Sequence, residues 1–114
     1  MPMPDGQHVH FFSGETSYEY GHLHRYQGYT GPAVGQGLAH THRIRVITTV
    51  ELGHDHLIDV ETGPGIATAG GHVHEFRGVT SISGRPPHSH RFRNVTGPPI
   101  PTMYGQAQDA GTQE

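Results

Sequence analysis

The feature that most constrains this chain is a pair of histidines separated by one residue, His-x-His, which occurs six times. All twelve histidines of the 114-residue sequence belong to such a pair. The pairs are His8/His10, His22/His24, His40/His42, His54/His56, His72/His74 and His88/His90. A threonine lies eight positions after the first histidine of every pair: Thr16, Thr30, Thr48, Thr62, Thr80 and Thr96. Such regular recurrence indicates a repeat architecture.

The spacing of the pairs defines the repeat unit. The first histidines are separated by alternating steps of 14 and 18 residues, with a last step of 16. The segment from the first histidine of a pair to its threonine is here called a word. In every second word the threonine is followed by Gly-Pro, which gives Thr-Gly-Pro at 30–32, 62–64 and 96–98. The unit is therefore a segment of about 32 residues that holds two words, and the chain has three of them.

The distribution of apolar residues within a unit predicts strands. Even-numbered positions carry the histidines and the apolar residues, whereas odd positions carry charges such as Arg43, Arg45 and Asp59. This period of two is typical of strands with one buried face, and no segment has a helical period. We predict an all-β domain of six strands, arranged as a six-stranded antiparallel barrel or prism-like sheet. A β-solenoid with two strands per turn and a flat sheet with exposed edges are the alternatives.

The even spacing between words also predicts hairpins with an odd number of loop residues, the first loop being 18–20. The predicted facing pairs are Phe12/Tyr26, Thr16/His22, Ile44/Ile58 and Phe76/Phe92. In a closed meander, the histidine pairs of strands 1, 3 and 5 collect at one end and those of strands 2, 4 and 6 at the other.

Paired histidines on a strand are suited to metal binding. Residues i and i+2 project to the same side with Cα atoms about 6.6 Å apart, so their rings can converge on one ion. Neutral imidazole is a ligand for Zn, Cu, Ni and Fe(II), and we predict a Zn, Cu or Ni ion bound by the twelve histidines. Two pairs supply four nitrogens and three pairs supply six. The six threonines are predicted to orient the rings through their hydroxyls. The alternative is a metal-free ladder of neutral histidines and threonines.

The bulk composition predicts three segments and a need for extra stabilisation. We assign 1–7 to an irregular N-terminal arm, 8–98 to a His-rich β-repeat domain and 99–114 to a C-terminal tail. Only 32% of the residues are apolar and cysteine is absent, so the core is thin for the length. Metal ligation and oligomerisation are the usual supplements. We therefore predict a homo-oligomer, in extended form a filament or coat.

Several function classes are disfavoured by the sequence. The net charge of −3 and the lack of a basic stripe argue against nucleic acid as a partner. No stretch is apolar over the roughly 20 residues of a membrane span, and no signal peptide is recognisable. The expected location is the cell surface or exterior for a filament and the cytoplasm otherwise.

A metalloenzyme is the second alternative. His8, His10 and Glu15 resemble the metal motif of cupins, which would favour non-haem iron or copper chemistry. An acidic residue does not recur at that place in the other words, and neither a nucleophile nor a carboxylate pair stands out. We therefore expect a non-enzymatic structural protein.

Two words carry a resemblance to a known family. GGHVHEFRGVTS at 70–81 and GHLHRYQGYTG at 21–31 resemble the small His-rich bacterial family YmaF, and the resemblance covers roughly 8–98. It implies a bacterial origin and no established activity. The third and fourth words depart from the family pattern, because Ile or Val replaces the aromatic residue and the glycine. Any site at these two words is therefore expected to differ.

Overall fold

The computed structural model describes residues 8–102, and their helix and strand content is entirely β. The strands are β1 (His8–Glu15), β2 (Arg25–Tyr29), β3 (Arg43–Ile47), β4 (Leu57–Glu61), β5 (Gly65–Thr68), β6 (Gly71–Val79), β7 (Arg91–Val95) and β8 (Pro99–Pro101). The all-β prediction is thus confirmed. No helix in this range is long and apolar enough to cross a membrane.

The boundaries at the chain ends differ in part from the sequence assignment. The predicted arm, 1–7, lies outside the described residues, as does 103–114 of the predicted tail. Residues 99–101, which the sequence places in the tail, form β8. The segment 65–68 forms β5 although it falls in a predicted link, because a three- or four-residue strand is too short to show a period.

The strands form three antiparallel sheets with the orders β2-β1-β8, β3-β4 and β5-β6-β7. Each sheet contains the hairpin of one repeat unit. The closed six-stranded barrel is not formed, because no continuous ladder joins one hairpin to the next within residues 8–102. All the strand pairs there are antiparallel, which also differs from the parallel columns of the solenoid alternative.

Neighbouring hairpins meet instead through two isolated backbone hydrogen bonds at each corner. The N–H of Gly31 donates to the carbonyl of Arg43, and the N–H of Thr49 donates to that of Arg25. Equivalent pairs join the second hairpin to the third and the third back to the first. With the N–H donor given first, the second and third hairpins are joined by Gly63/Glu75 and Ser81/Leu57, and the third and first by Gly97/Phe11 and Ser17/Arg91. The three hairpins thereby surround one common interior.

The hairpin register differs from the predicted one by two residues. Phe12 faces Gly28, not Tyr26, and Ile44 faces Val60, not Ile58. Phe76 likewise faces Asn94, so the predicted pair Phe76/Phe92 is wrong as well.

A bulge directly before a tight turn causes this shift. Glu19 and His22 close a two-residue turn in which Tyr20 and Gly21 have φ of 56° and 83°. Ser17 and Tyr18 then oppose Leu23 alone, since the next backbone bond joins the N–H of Thr16 to the carbonyl of His24. In a hairpin whose turn has an even number of residues, such a bulge restores the alternation of inward and outward side chains. It also turns the N–H of Ser17 outward to the third hairpin.

The core is a single apolar layer to which each word contributes one residue. These residues are Phe12, Tyr26, Ile44, Ile58, Phe76 and Phe92, all 4% exposed or less. All four aromatics face a glycine or an asparagine across the hairpin, for example Phe92 opposite Gly78. The isoleucines face Val46 and Val60, which pack against the layer. A large side chain that faces a small one fills about as much space as two medium side chains that face each other. The core therefore accommodates the third and fourth words, which depart from the family pattern.

Candidate metal centre

The fold gathers the twelve histidines into two clusters of six. The first cluster contains His8, His10, His40, His42, His72 and His74, and the second contains His22, His24, His54, His56, His88 and His90. In each cluster, the six ligand nitrogens lie within 4.8 Å of one another. Each hairpin supplies one pair to each cluster, as the sequence predicts for alternate strands. The apolar layer lies between the two clusters along the strands, as Phe12 follows His8 and His10 in β1.

The first histidine of each pair, here called the outer histidine, is nearest the end of the molecule. The Nε2 atoms of His8, His40 and His72 form a triangle with sides of 3.1, 3.1 and 3.2 Å. Those of His22, His54 and His88 form a second triangle with sides of 3.1, 3.2 and 3.3 Å. Three imidazole nitrogens in each cluster therefore converge on one point.

The second histidine of each pair, the inner histidine, is fully enclosed, with 1% exposure or less in all six cases. Its Nδ1 lies 2.8–2.9 Å from a backbone carbonyl of a neighbouring hairpin. The ring–carbonyl pairs are His10/Gly97, His24/Thr49, His42/Gly31, His56/Ser81, His74/Gly63 and His90/Ser17. A carbonyl can only accept, so Nδ1 carries the proton and Nε2 of the neutral ring is left with a lone pair.

The threonines hold this arrangement from the backbone side. Each Thr Oγ1 accepts the backbone N–H of the inner histidine across its own hairpin at 3.0–3.1 Å. The same hydroxyl donates to the carbonyl of the residue that follows the threonine. That carbonyl is the one that accepts the ring Nδ1–H from the next hairpin. The threonines therefore orient the rings mainly through a shared carbonyl, which the sequence does not reveal.

Four of the six outer histidines are held by a carbonyl of the turn beside them. Nδ1 of His22 donates to the carbonyl of Tyr20 at 3.0 Å, and Nδ1 of His40 donates to that of Gly37 at 2.5 Å. His88 donates to the carbonyl of Pro86 at 2.6 Å, while His54 makes a longer contact with Leu52 at 3.5 Å. These bonds again leave Nε2 unprotonated and turned towards the cluster.

Burial lowers the pKa of the six inner rings and of His72 and so keeps them neutral at ordinary pH. It lowers the pKa of His42 to about 3 and the pKa of His10, His56 and His72 to about 4. It also lowers the pKa of His24, His74 and His90. Neighbouring imidazoles lower these pKa values further, because two positive rings at this distance repel each other.

A metal ion fits the chemistry of these clusters better than a hydrogen-bonded ladder does. Nε2 of His10, His24 and His56 is buried and has no hydrogen-bond partner. Nε2 of His22 lies 3.3 Å from Nε2 of His88, and because Nδ1 of each ring donates to a carbonyl, neither Nε2 carries a proton and the contact is not a hydrogen bond. The threonine hydroxyls and the carbonyls that follow them are hydrogen-bond partners for the backbone N–H and Nδ1 of the inner histidines, but they provide no partner for Nε2. A cation at the centre would satisfy all six nitrogens of a cluster.

The cupin-like triad is not assembled. Glu15 lies on the exposed face of β1 and forms an ion pair with Arg25 at 3.2 Å, so it does not join His8 and His10. The exposed Arg43 and Arg45 both contact Asp59 across the hairpin. Arg93 contacts Glu75 in the same way.

We expect the substitution Thr48→Val to destabilise the protein by about 1–3 kcal/mol. Valine has nearly the shape of threonine but leaves the buried N–H of His56 without its acceptor, Thr48 Oγ1, at 3.0 Å. The measurement is urea unfolding followed by circular dichroism. The control is Thr68→Val at an exposed position of β5, which should change the stability by less than about 0.5 kcal/mol. Equal effects of the two substitutions would contradict the structural role of Thr48.

The fold and the two clusters define a class of protein: a small all-β protein of three hairpin repeats that encloses paired histidines at both ends of one core. The chain belongs to the YmaF family, whose model, described as spore germination protein GerY/YamF, matches residues 6–96. The predicted resemblance is thus confirmed.

No curated protein and no solved structure is detectably similar to the chain.

Proposed function

We propose that this protein binds two transition-metal ions per chain, one in each histidine cluster, and that it does so without catalysing a reaction. One observation carries the proposal: six imidazoles converge in each cluster, and the buried Nε2 atoms of His10, His24 and His56 have neither a proton nor a hydrogen-bond partner. Imidazole nitrogen is a ligand for the borderline first-row ions, and a carboxylate is absent from both clusters.

The role of the ion in this proposal is structural. Each cluster takes one histidine pair from each of the three hairpins, and the hairpins are otherwise joined by isolated backbone bonds, by the bonds from the inner rings to carbonyls and by a thin core. An ion bound to all three hairpins would fix their relative positions. A structural site is closed by protein ligands, whereas a catalytic site keeps a position for water or substrate.

Self-assembly remains a proposal from the sequence. The predicted arm and most of the predicted tail lie outside residues 8–102. The thin core is the observation that favours it, because association is a common supplement to such a core. The family description, spore germination, suggests the setting in which the metal-binding protein would act.

The test is elemental analysis of the protein purified without an affinity tag, expressed as ions per chain. We expect two. The matched variants replace the outer histidines of one cluster with alanine: His8, His40 and His72 in one variant, His22, His54 and His88 in the other. Each variant should hold one ion per chain, because the untouched cluster still binds.

Each variant serves as the control for the other, with circular dichroism as the check on folding. A wild-type chain that binds no ion when offered Zn²⁺, Co²⁺ and Ni²⁺ at equilibrium would overturn the proposal. Variants that keep two ions would also contradict it, since the sites would then lie elsewhere. The wild-type result stands even if a variant does not fold.

A further inference from the structure

We propose that each cluster holds its ion in an octahedron of six imidazole nitrogens that leaves no coordination position free. The resident ion would then be a divalent ion that accepts regular octahedral nitrogen ligation, such as Fe(II), Co(II) or Ni(II), and not four-coordinate zinc. This inference rests on the proposed metal binding and specifies its geometry.

The packing of the rings has the connectivity of an octahedron. In the second cluster, each ring lies edge to face against four others, with centroids 4.6–5.1 Å apart, and stands opposite the fifth. The opposite pairs are His22/His56, His24/His88 and His54/His90. Every vertex of an octahedron has four neighbours and one opposite vertex, and a planar or tetrahedral set has no such arrangement.

The first cluster has the same arrangement. Its neighbouring rings lie with centroids 4.5–5.1 Å apart. The pairs that stand opposite are His8/His74, His10/His40 and His42/His72. In both clusters an outer histidine is thus opposite an inner histidine from another hairpin. Two triangles, one outer and one inner, form the two faces of the octahedron.

The size of the octahedron suits a divalent first-row ion. Neighbouring Nε2 atoms are 3.1–3.3 Å apart, both between outer histidines and between an outer and an inner one. The centre of a regular octahedron with such edges is about 2.2–2.3 Å from each vertex, slightly longer than the ~2.0–2.1 Å of a four-coordinate zinc–imidazole bond. A six-coordinate ion has longer bonds than a four-coordinate one, so the dimensions agree.

The two commonest histidine-bound ions fit this geometry less well. Zinc in structural sites binds four ligands in a tetrahedron, and two buried Nε2 atoms of the cluster would stay unsatisfied. Cu(II) prefers a tetragonal arrangement with unequal bonds, whereas the rings are held at nearly equal distances by bonds to the backbone.

The first experiment is the absorption spectrum of the protein loaded with Co²⁺, with the bound cobalt counted by equilibrium dialysis of the same sample. Octahedral Co(II) gives weak d–d bands and tetrahedral Co(II) gives intense ones. We expect two bound ions per chain with weak bands only. Bound cobalt with intense bands would overturn the octahedral inference alone, and absence of bound cobalt, with Ni²⁺ and Zn²⁺ also unbound, would overturn the proposed function.

A second experiment tests whether the coordination is complete. Azide added to the cobalt protein should leave the wild-type spectrum unchanged, because no position is open. In the variant His54→Ala, one ligand of the second cluster is lost at its most accessible histidine, and azide should then change the spectrum. His72→Ala is the matched variant in the first cluster and should respond in the same way. A wild-type spectrum that shifts with azide would contradict a saturated site.

Discussion

Removal of the bound ions is expected to lower the melting temperature of this protein by about 20 °C or more. A ligand that binds only the folded state stabilises it by about 2.7 kcal/mol at 100 times its dissociation constant, and by about 4.1 kcal/mol at 1,000 times. Two sites double this effect, and each kcal/mol shifts the melting temperature of a domain near 100 residues by about 4–8 °C. The large shift follows from the structure, since each ion would join all three hairpins. The measurement is thermal unfolding by circular dichroism before and after treatment with EDTA.

The reversal of this effect is its control. Adding stoichiometric Co²⁺ or Ni²⁺ to the chelated protein should restore the melting temperature, whereas Mg²⁺ should not, because magnesium prefers oxygen ligands. The two triple-alanine variants should each show about half of the shift. An unchanged melting temperature after complete metal removal would show that the hairpins hold together without the ions.

Much of the site could be predicted because the repeat determines which side chains share a face. Even-numbered positions point inward along the six strands of the three hairpins, so the histidines and the apolar residues had to share the interior. The antiparallel alternation of words then placed pairs from alternate strands at the same end. These two facts are sufficient to predict the membership of both clusters, including the pairs of the third and fourth words.

The register could not be predicted from the same pattern, since a shift of two residues keeps every side chain on its face. The deciding feature is local: Tyr20-Gly21 and Leu52-Gly53 form two-residue turns with positive φ at both positions. Asparagine or aspartate normally marks the first of these positions, so tyrosine and leucine gave no signal. The bulge directly before each of these turns is visible only in the structure.

The hydrogen-bond chemistry of the site was also beyond the sequence. The carbonyls that fix the inner rings belong to residues as different as Ser17, Gly31 and Thr49, since a backbone atom needs no particular side chain. The octahedral arrangement depends on three hairpins meeting around one axis. The sequence showed that three pairs can offer six nitrogens, but it did not show whether they converge.

Acid is expected to unfold the metal-free protein between pH 6.5 and about 4. His10, His42 and His56 are almost fully buried, and burial lowers their pKa from 6.5 to about 4, 3 and 4 respectively. The unfolded chain therefore binds protons that the folded chain does not, and stability falls as pH falls through this window. Each ring contributes on the order of 1–3 kcal/mol that is present above pH 6.5 and lost below it. Three such rings approach the total stability of a small domain, about 5–15 kcal/mol.

The pH window distinguishes protonation of these histidines from protonation of the Glu19 carboxyl group. The hydroxyl of Ser17 donates to Glu19 and lowers the pKa of that carboxyl from 4.5, so its protonation matters only below pH 4.5. Urea unfolding of the chelated protein at pH 7.5, 6.5, 5.5 and 4.5 measures the effect, and we expect stability to fall at each step below 6.5. Stability that is constant down to pH 4.5 would mean that the rings are already charged in the fold or have another partner. The metal-loaded protein should resist acid further, because protons must then displace the ion from the same Nε2 atoms.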